Sequence, residues 1–260
     1  MQLKGRKILY CGCSRGIGLE AVRALVKEGA DVVGFARNMS DENVESVKNA
    51  GEGTFKYIQC DVTDEDMVFS CVDDAAKHLG GLDVVVTCVM QYIELSCEDT
   101  STDDFDFGFK TNFYGPVWVN QAALPYLKES QGTVINFGSG GGVTTKTVHT
   151  SPSMYACSKA ALHIWTKDIA KEWGKKYNIN CNCIMPMIET PAHFESSGRT
   201  DAAWQEHLQL CSNNMFLLTE EGRPYGPEAV TPLIVFMCSK GSKYITGQLI
   251  NCDGGMVENR

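Results

Sequence analysis

The sequence predicts an α/β domain: a doubly wound, seven-stranded parallel sheet with helices on both faces and a helical lid. Three observations predict it. Short apolar runs alternate with longer segments of helical period along the 260 residues. The run "LDVVVTCVM" at 82–90 has almost no polar break, as in a strand covered on both faces. No linker, repeat or low-complexity stretch interrupts the order, so 1–260 reads as one domain.

Each element follows in turn. Lys7–Cys11 reads as a buried strand. Gly16–Glu28 reads as an amphipathic helix with Leu19, Val22, Leu25 and Val26 on one side. Asp31–Ala36 is the second strand, and Asp41–Ala50 a helix with an acid at its start. Thr54–Cys60 is the third strand, followed by a helix over Asp64–Leu79, and Leu82–Met90 is the fourth. Asp103–Lys128 is helical and expected to bend or break at Pro116 and Pro125. Gly132–Ser139 is the fifth strand, Pro152–Tyr177 a long helix, and Asn178–Pro186 the sixth strand. Pro227–Ser239 reads as a helix with proline in its first turn, and Gly247–Gly255 carries the last strand. Ile188–Arg223 breaks the rhythm, with Phe194, Trp204, Leu208, Met215, Phe216 and Leu217 at no strand spacing. Open sheets bind ligands beyond the carboxyl ends of their strands. The segment is therefore either a substrate lid (188–223) or an ordinary helical hairpin packed on the core.

Composition excludes several classes. The formal net charge of −9 argues against nonspecific nucleic-acid binding, which needs a basic surface. The apolar run Ile8–Cys11 is too short for a secretory signal, and no later run is long enough to cross a bilayer. The expectation is a cytoplasmic protein with no membrane partner. The twelve cysteines are scattered. Two CxC pairs, Cys11/Cys13 and Cys181/Cys183, would share a face within a strand and so touch one metal. The other reading is small buried thiols filling core space, and it is favoured because no histidine lies nearby. No metal is expected.

Glycines 12, 16 and 18 fall at the junction of the first strand and helix. The first allows a sharp turn, the second a close approach of backbone N–H groups to a pyrophosphate, and the third close helix–strand packing. The helix amino end adds partial positive charge. Gly12, Ser14, Arg15, Gly16, Ile17 and Gly18 are thus the expected phosphate turn. The second strand, "DVVGFARN", ends in Ala36-Arg37 rather than the acid that grips a ribose 2′-hydroxyl. Arg37 with Arg15 suits a 2′-phosphate, so NADP(H) is favoured over NAD(H). Asp61, after the third strand, either touches the adenine or caps its own loop.

The stretch "SPSMYACSKAALHIW" places Tyr155 and Lys159 one helical turn apart. A phenol titrates near ~10, and a close ammonium pulls that down. A shift of ~2–3 units is ~3–4 kcal/mol of differential stabilisation. Tyr155 then becomes a general acid/base for a ketone–alcohol pair. Upstream, "NFGSGGG" ends a strand at Ser139, whose hydroxyl can bond the same substrate oxygen.

These marks together resemble the short-chain dehydrogenase/reductase family, over about Lys4 to Gly255. They are Gly12-x3-Gly16-Ile17-Gly18, Asp61-Val62, Asn112, Ser139, Tyr155-x3-Lys159, Pro186 with Thr190, and "GQLINCDGG". The resemblance implies a Rossmann fold and a homotetramer or homodimer. It implies that Ser139 orients the carbonyl, that Tyr155 gives or takes its proton, and that Lys159 lowers the tyrosine pKa and bonds the nicotinamide ribose. Asn112 would hold a water linking Lys159 to solvent. Thr190 with Ile188 would bind the carboxamide.

The chain also departs from the family pattern. Thr87-Cys88-Val89-Met90 stands where the family usually has Asn-Asn-Ala-Gly, whose first Asn braces neighbouring strands and whose Gly gives the cofactor room. Met187 replaces the glycine after Pro186, and the Ser139–Tyr155 interval is longer than is common. The expected substrate pocket includes Met90, Gly141, Phe194 and Trp204. The expected activity is NADP(H)-dependent interconversion of a secondary alcohol and a ketone on a bulky apolar small molecule such as a hydroxysteroid or bile acid. A 3-oxoacyl thioester is the rival substrate. A catalytically silent nucleotide-binding sensor or scaffold is the reading from another class.

Overall fold

The computed structural model of the chain describes residues 1–93, 95–143, 153–190 and 200–257. Seven parallel strands form one sheet: β1 (Lys7–Cys11), β2 (Asp31–Ala36), β3 (Thr54–Gln59), β4 (Val84–Thr87), β5 (Thr133–Phe137), β6 (Asn180–Pro186) and β7 (Leu249–Cys252). Their order is β3-β2-β1-β4-β5-β6-β7. Sequence order reverses between β1 and β4, where Cys11 pairs with Thr87. Such a reversal opens a crevice at the carboxyl ends of the two strands.

Two apolar layers cover the sheet. On one face α1 (Gly16–Lys27) and α8 (Thr231–Cys238) bury Val22, Leu25, Ile234 and Met237 against Ile8, Val32, Val84 and Ile135. On the other, α3 (Glu65–Leu79), α5 (Gly115–Ser130) and α6 (Ser153–Tyr177) bury Val68, Val72, Leu127 and Ile169 against Leu9, Val33, Val85 and Val134. Each such side chain contributes roughly 1.5–3 kcal/mol by leaving water. Side chains alternate between the layers along each central strand, which is why those strands read as unbroken apolar runs.

Several boundaries differ from the sequence expectation. The first concerns α2 (Asp41–Lys48), which is shorter than expected. Asp64 lies outside α3 as its cap, accepting from the Met67 N–H at 3.0 Å. The long helix around 103–128 is α4 (Thr102–Phe109), a π-helical turn (Lys110–Tyr114) and α5. The interruption precedes Pro116 rather than falling on it. Pro116 has no N–H for the carbonyl of Asn112 four residues back, so the ladder loosens in that turn. Pro125 sits inside α5 without breaking it. The expected helix 227–239 is a 3-10 turn (Pro227–Ala229) followed by α8, because Pro232 cannot donate to Glu228. The Thr231 hydroxyl donates to that carbonyl instead, at 3.0 Å.

All twelve thiols are free. Cys11 faces one core layer and Cys13 the other, so this CxC pair does not present one face to a metal. Gly12, with φ +93°, turns the chain between them. Burial pushes the thiols of Cys13 and Cys181 up to about 12. Among the described residues no group of three or more His, Cys, Asp or Glu is placed to hold a metal ion. No described helix is long and apolar enough to cross a membrane.

Candidate active site

A cleft of about 310 Å³ runs across the carboxyl ends of the strands. One half is made of main chain. Gly12, Ser14, Arg15, Gly16, Ile17 and Gly18 all line it. A Cβ on Gly12 would lie 2.3 Å from the Cys88 carbonyl oxygen, and one on Gly18 would lie 1.8 Å from the Gly12 carbonyl oxygen. Both glycines are fixed by backbone, which has no way to yield.

The helix that starts here is unlike its neighbours. The next two, α2 and α3, carry the side-chain caps Ser40 and Asp64, and α4 carries Ser101; each has two acids in its first turn. By contrast α1, preceded by Arg15, has no side-chain cap and no acid in its first turn. Its amino end is left for an anion. Arg37, exposed at the end of β2, and Arg15 border the same half, with Asp61 and Val62 beside them. Asp61 Oδ1 accepts from the Thr63 N–H at 3.0 Å and its hydroxyl at 2.9 Å, so it caps its loop while also facing the cleft. The residues present fit a dinucleotide: a glycine cradle, a bare helix end and two guanidiniums.

The other half carries the titratable groups. Tyr155 and Lys159 project from α6 and line the cleft, with Ser139 at the end of β5 opposite. Ser139 lies near enough to the Tyr155 phenol to favour its ionised form. Lys159 is 2% exposed, and its Nζ lies 5.9 Å from the centre of the tyrosine ring. Its ammonium donates to the carbonyls of Phe137 at 2.8 Å and Val89 at 3.1 Å. The electrostatics correct the sequence expectation. Burial pushes the phenol up to about 12, with Ser139 pulling the other way, and lowers Lys159 to about 8. Desolvation is the largest influence on both groups.

Asn112 does not line the cleft; its neighbour Thr111 does. It is fully buried in the π-helical turn. Its Oδ1 accepts from the Gln91 N–H at 2.7 Å, and its Nδ2 donates to the Gln91 carbonyl at 2.8 Å and to Ser158 Oγ at 3.1 Å. It therefore fixes the chain leaving β4, next to the Val89 carbonyl that holds Lys159.

The altered stretch after β4 keeps its brace by another route. The Thr87 hydroxyl donates to Asn136 Oδ1 across the strand pair at 2.7 Å. Asn136 Nδ2 donates to Thr166 Oγ1 at 2.9 Å and Asn120 Oδ1 at 3.2 Å. Met90 lines the cleft while 41% exposed, so it forms a wall rather than filling the cofactor's space. Met187, Pro186, Ile188 and Thr190 line the cleft at the end of β6, and Gly141 lines it beside Ser139. The Met187 N–H donates to the Cys252 carbonyl at 3.0 Å, which ties this segment to β7.

The lid expectation is met only in part. Within 188–223 the described residues include α7 (Asp201–Ser212). Trp204 does not line the cleft. It belongs to the buried stripe Trp204, Leu208 and Cys211 of α7, at the spacing of a core-facing helix side. Phe194 lies outside the described residues, as does the segment 144–152 within the Ser139–Tyr155 interval. Two lining groups escaped the sequence reading. Tyr92 meets the Tyr155 ring edge-on at 5.2 Å, and Met256 and Val257 follow the last strand. The "CDGG" turn was the available signal for the latter: Asp253 Oδ2 accepts from the Val257 N–H at 2.9 Å and folds that tail inward.

Comparison with known proteins agrees with this geometry. The family model described as enoyl-(acyl carrier protein) reductase matches residues 12–257. A 3-oxoacyl-(acyl-carrier-protein) reductase of Thermotoga maritima is 30% identical over 262 residues, covering 99% of this chain and 100% of that protein. A 7alpha-hydroxysteroid dehydrogenase of Bacteroides fragilis is 28% identical, covering 98% of this chain and 96% of its own. The solved structure of a short-chain dehydrogenase/reductase from Serratia marcescens superposes with a TM-score of 0.86 at 25% identity, over 99% of this chain and 100% of that one. Matches that run from end to end in both sequence and structure assign this chain to the short-chain dehydrogenase/reductase family, as an oxidoreductase acting on alcohol and ketone groups.

Proposed function

We propose that the chain is an NADP(H)-dependent oxidoreductase that interconverts a secondary alcohol and a ketone on a bulky apolar small molecule such as a hydroxysteroid or bile acid. The observation that carries this reading is the buried Tyr155 phenol, lining one cleft with Ser139, one helical turn from Lys159 and facing the glycine cradle. The Gly12–Gly18 turn and the bare end of α1 would hold the pyrophosphate, and Arg15 and Arg37 the 2′-phosphate. Ile188 and Thr190 would hold the carboxamide, and Tyr155 and Lys159 the ribose next to it. When bound, the reduced nicotinamide supplies a hydride.

The protein groups do the rest. Ser139 and Tyr155 hydroxyls aim at the carbonyl oxygen. Tyr155 gives its proton to that oxygen as the carbonyl carbon becomes a C–H centre, and the phenolate left behind is steadied by Ser139. A phenol raised to about 12 holds its proton at neutral pH, which suits the acid role in ketone reduction. Lys159, anchored on two carbonyls, keeps a positive charge near the ring.

The apolar wall of Met90, Tyr92, Met187 and Val257 supports a bulky apolar substrate. A 3-oxoacyl thioester is the second reading, favoured by the name of the Thermotoga maritima relative. Against a carrier-protein substrate, the Arg223 guanidinium is committed to the Glu189 carboxylate, with Nε donating to Oε2 at 3.1 Å. A homotetramer or homodimer is part of the proposal, supported by the partly exposed aromatic side chains Phe107 and Tyr114. The test follows NADPH absorbance with a panel of steroid and bile-acid ketones beside 3-oxoacyl thioesters. Turnover of the polycyclic ketones is expected. Turnover of thioesters alone selects the second reading. Binding of NADPH without any turnover selects the silent nucleotide-binding protein.

A further inference from the structure

The face of α6 that carries Tyr155 and Lys159 has a third member one turn further on. His163 sits at the same four-residue spacing and is 3% exposed. Its Nε2 accepts a hydrogen bond from the Ser139 N–H at 3.2 Å, so the ring proton sits on Nδ1. The ring also lies against Gly142, which leaves no room there for a side chain. One imidazole thus holds the residue that leads into the 3-10 turn Gly140–Gly142 and packs against the turn's far end. Space is shaped around it. A Cβ on Gly138 would lie 2.2 Å from His163 Nε2, and one on Gly142 would lie 2.9 Å from His163 Cε1. Burial, with Lys159 and Lys167 close by, pushes the imidazole down to about 4, so the ring stays neutral and Nε2 keeps its lone pair.

We propose that His163 is a positioning residue: it fixes the backbone of Ser139, and through it the serine hydroxyl beside the Tyr155 phenol. The inference rests on the catalytic reading of Ser139 and Tyr155 given above. The hydroxyl itself is held by the Gly141 N–H, which donates to Ser139 Oγ at 3.2 Å. Backbone and side chain of the serine are therefore each fixed by a separate bond. Losing the backbone bond leaves the cofactor half of the cleft untouched but lets the serine wander. Misplacing a reacting group by about 1 Å costs on the order of a hundredfold in rate.

The test compares His163→Met, which keeps length without an acceptor, with His163→Gln, whose side-chain carbonyl can take the place of Nε2. Three quantities are read: kcat on a ketone substrate, NADPH affinity by fluorescence titration, and hydrogen exchange at the Ser139 amide. His163→Met is expected to lower kcat about 10–100-fold, leave NADPH affinity within about twofold, and speed Ser139 exchange about tenfold or more. His163→Gln is expected to restore most of both kcat and protection. The proposal is overturned if kcat and exchange are unchanged in His163→Met, if the Gln variant is as impaired as the Met variant, or if NADPH affinity falls in step with kcat. Absence of turnover in the unaltered protein defeats the proposed activity, and the exchange measurement then decides the role of His163 alone. Should His163→Met not fold, imidazole nitrogen NMR of the unaltered protein decides. A neutral ring protonated at Nδ1 at pH 6 supports the assignment, and a ring protonated at Nε2 overturns it.

Discussion

The two halves of the cleft are built from different materials. The half around α1 is shaped by backbone: two glycines whose missing side chains are demanded by carbonyls, and a helix end with no cap. The half around Ser139 and Tyr155 is shaped by side chains: a phenol, an ammonium, a second tyrosine and a wall of methionine and valine. Backbone shape tolerates almost nothing, and a wall of flexible side chains tolerates a great deal. The first half should therefore be common to many chemistries, while the second decides which molecule is accepted.

Four substitutions test this contrast, from the largest effect down. Tyr155→Phe removes the proton donor and should lower kcat by about 10²–10⁴ while NADPH affinity stays within about twofold. Steady-state rates beside a binding titration check it, and a retained rate would place the acid elsewhere. Arg37→Ala should weaken NADPH by about 10–100-fold, the range of one or two charge-assisted bonds, and leave NADH nearly unchanged. Equal losses for both would mean that the guanidinium does not meet a 2′-phosphate. Gly18→Ala drives a methyl into the Gly12 carbonyl and should lower stability by about 1–3 kcal/mol together with nucleotide affinity. Thermal unfolding reads the first and titration the second, and an unaltered protein would show that this turn can give. Met90→Ala should change stability by no more than about 0.5 kcal/mol and shift the preference among ketones of different bulk by a few-fold. A lost NADPH affinity there would erase the boundary between the halves.

What the sequence made legible follows the same division. Glycines 12, 16 and 18 could be read because turns and close approaches admit no other residue. Tyr155 and Lys159 could be read because four residues is one helical turn. The central strands could be read because sheets covered on both faces leave unbroken apolar runs. Other features needed the fold. The brace Thr87–Asn136 joins residues 49 apart in sequence through a strand pair that only the sheet order creates. The Tyr155–Lys159 spacing could be read, but not its electrostatics, since burial of the phenol, which only the fold creates, dominates them. Trp204 looked like a wall of the substrate pocket and is part of a core stripe, because apolar pattern alone does not say which neighbour a helix faces. The shared face that a strand would give Cys11 and Cys13, the less favoured reading, is absent, because one left-handed glycine reverses the alternation.

The bare end of α1 ties folding to ligand supply. Its N–H groups have no side-chain cap, so an anion seated there strengthens the native state and adds nothing to the unfolded chain. Ligand at a hundred times its dissociation constant adds about 2.7 kcal/mol of stability. In a cell that triages unfolded chains, this is enough to alter how long each copy survives. The amount of enzyme would then rise and fall with the pool of the nucleotide it consumes, without any change in its synthesis.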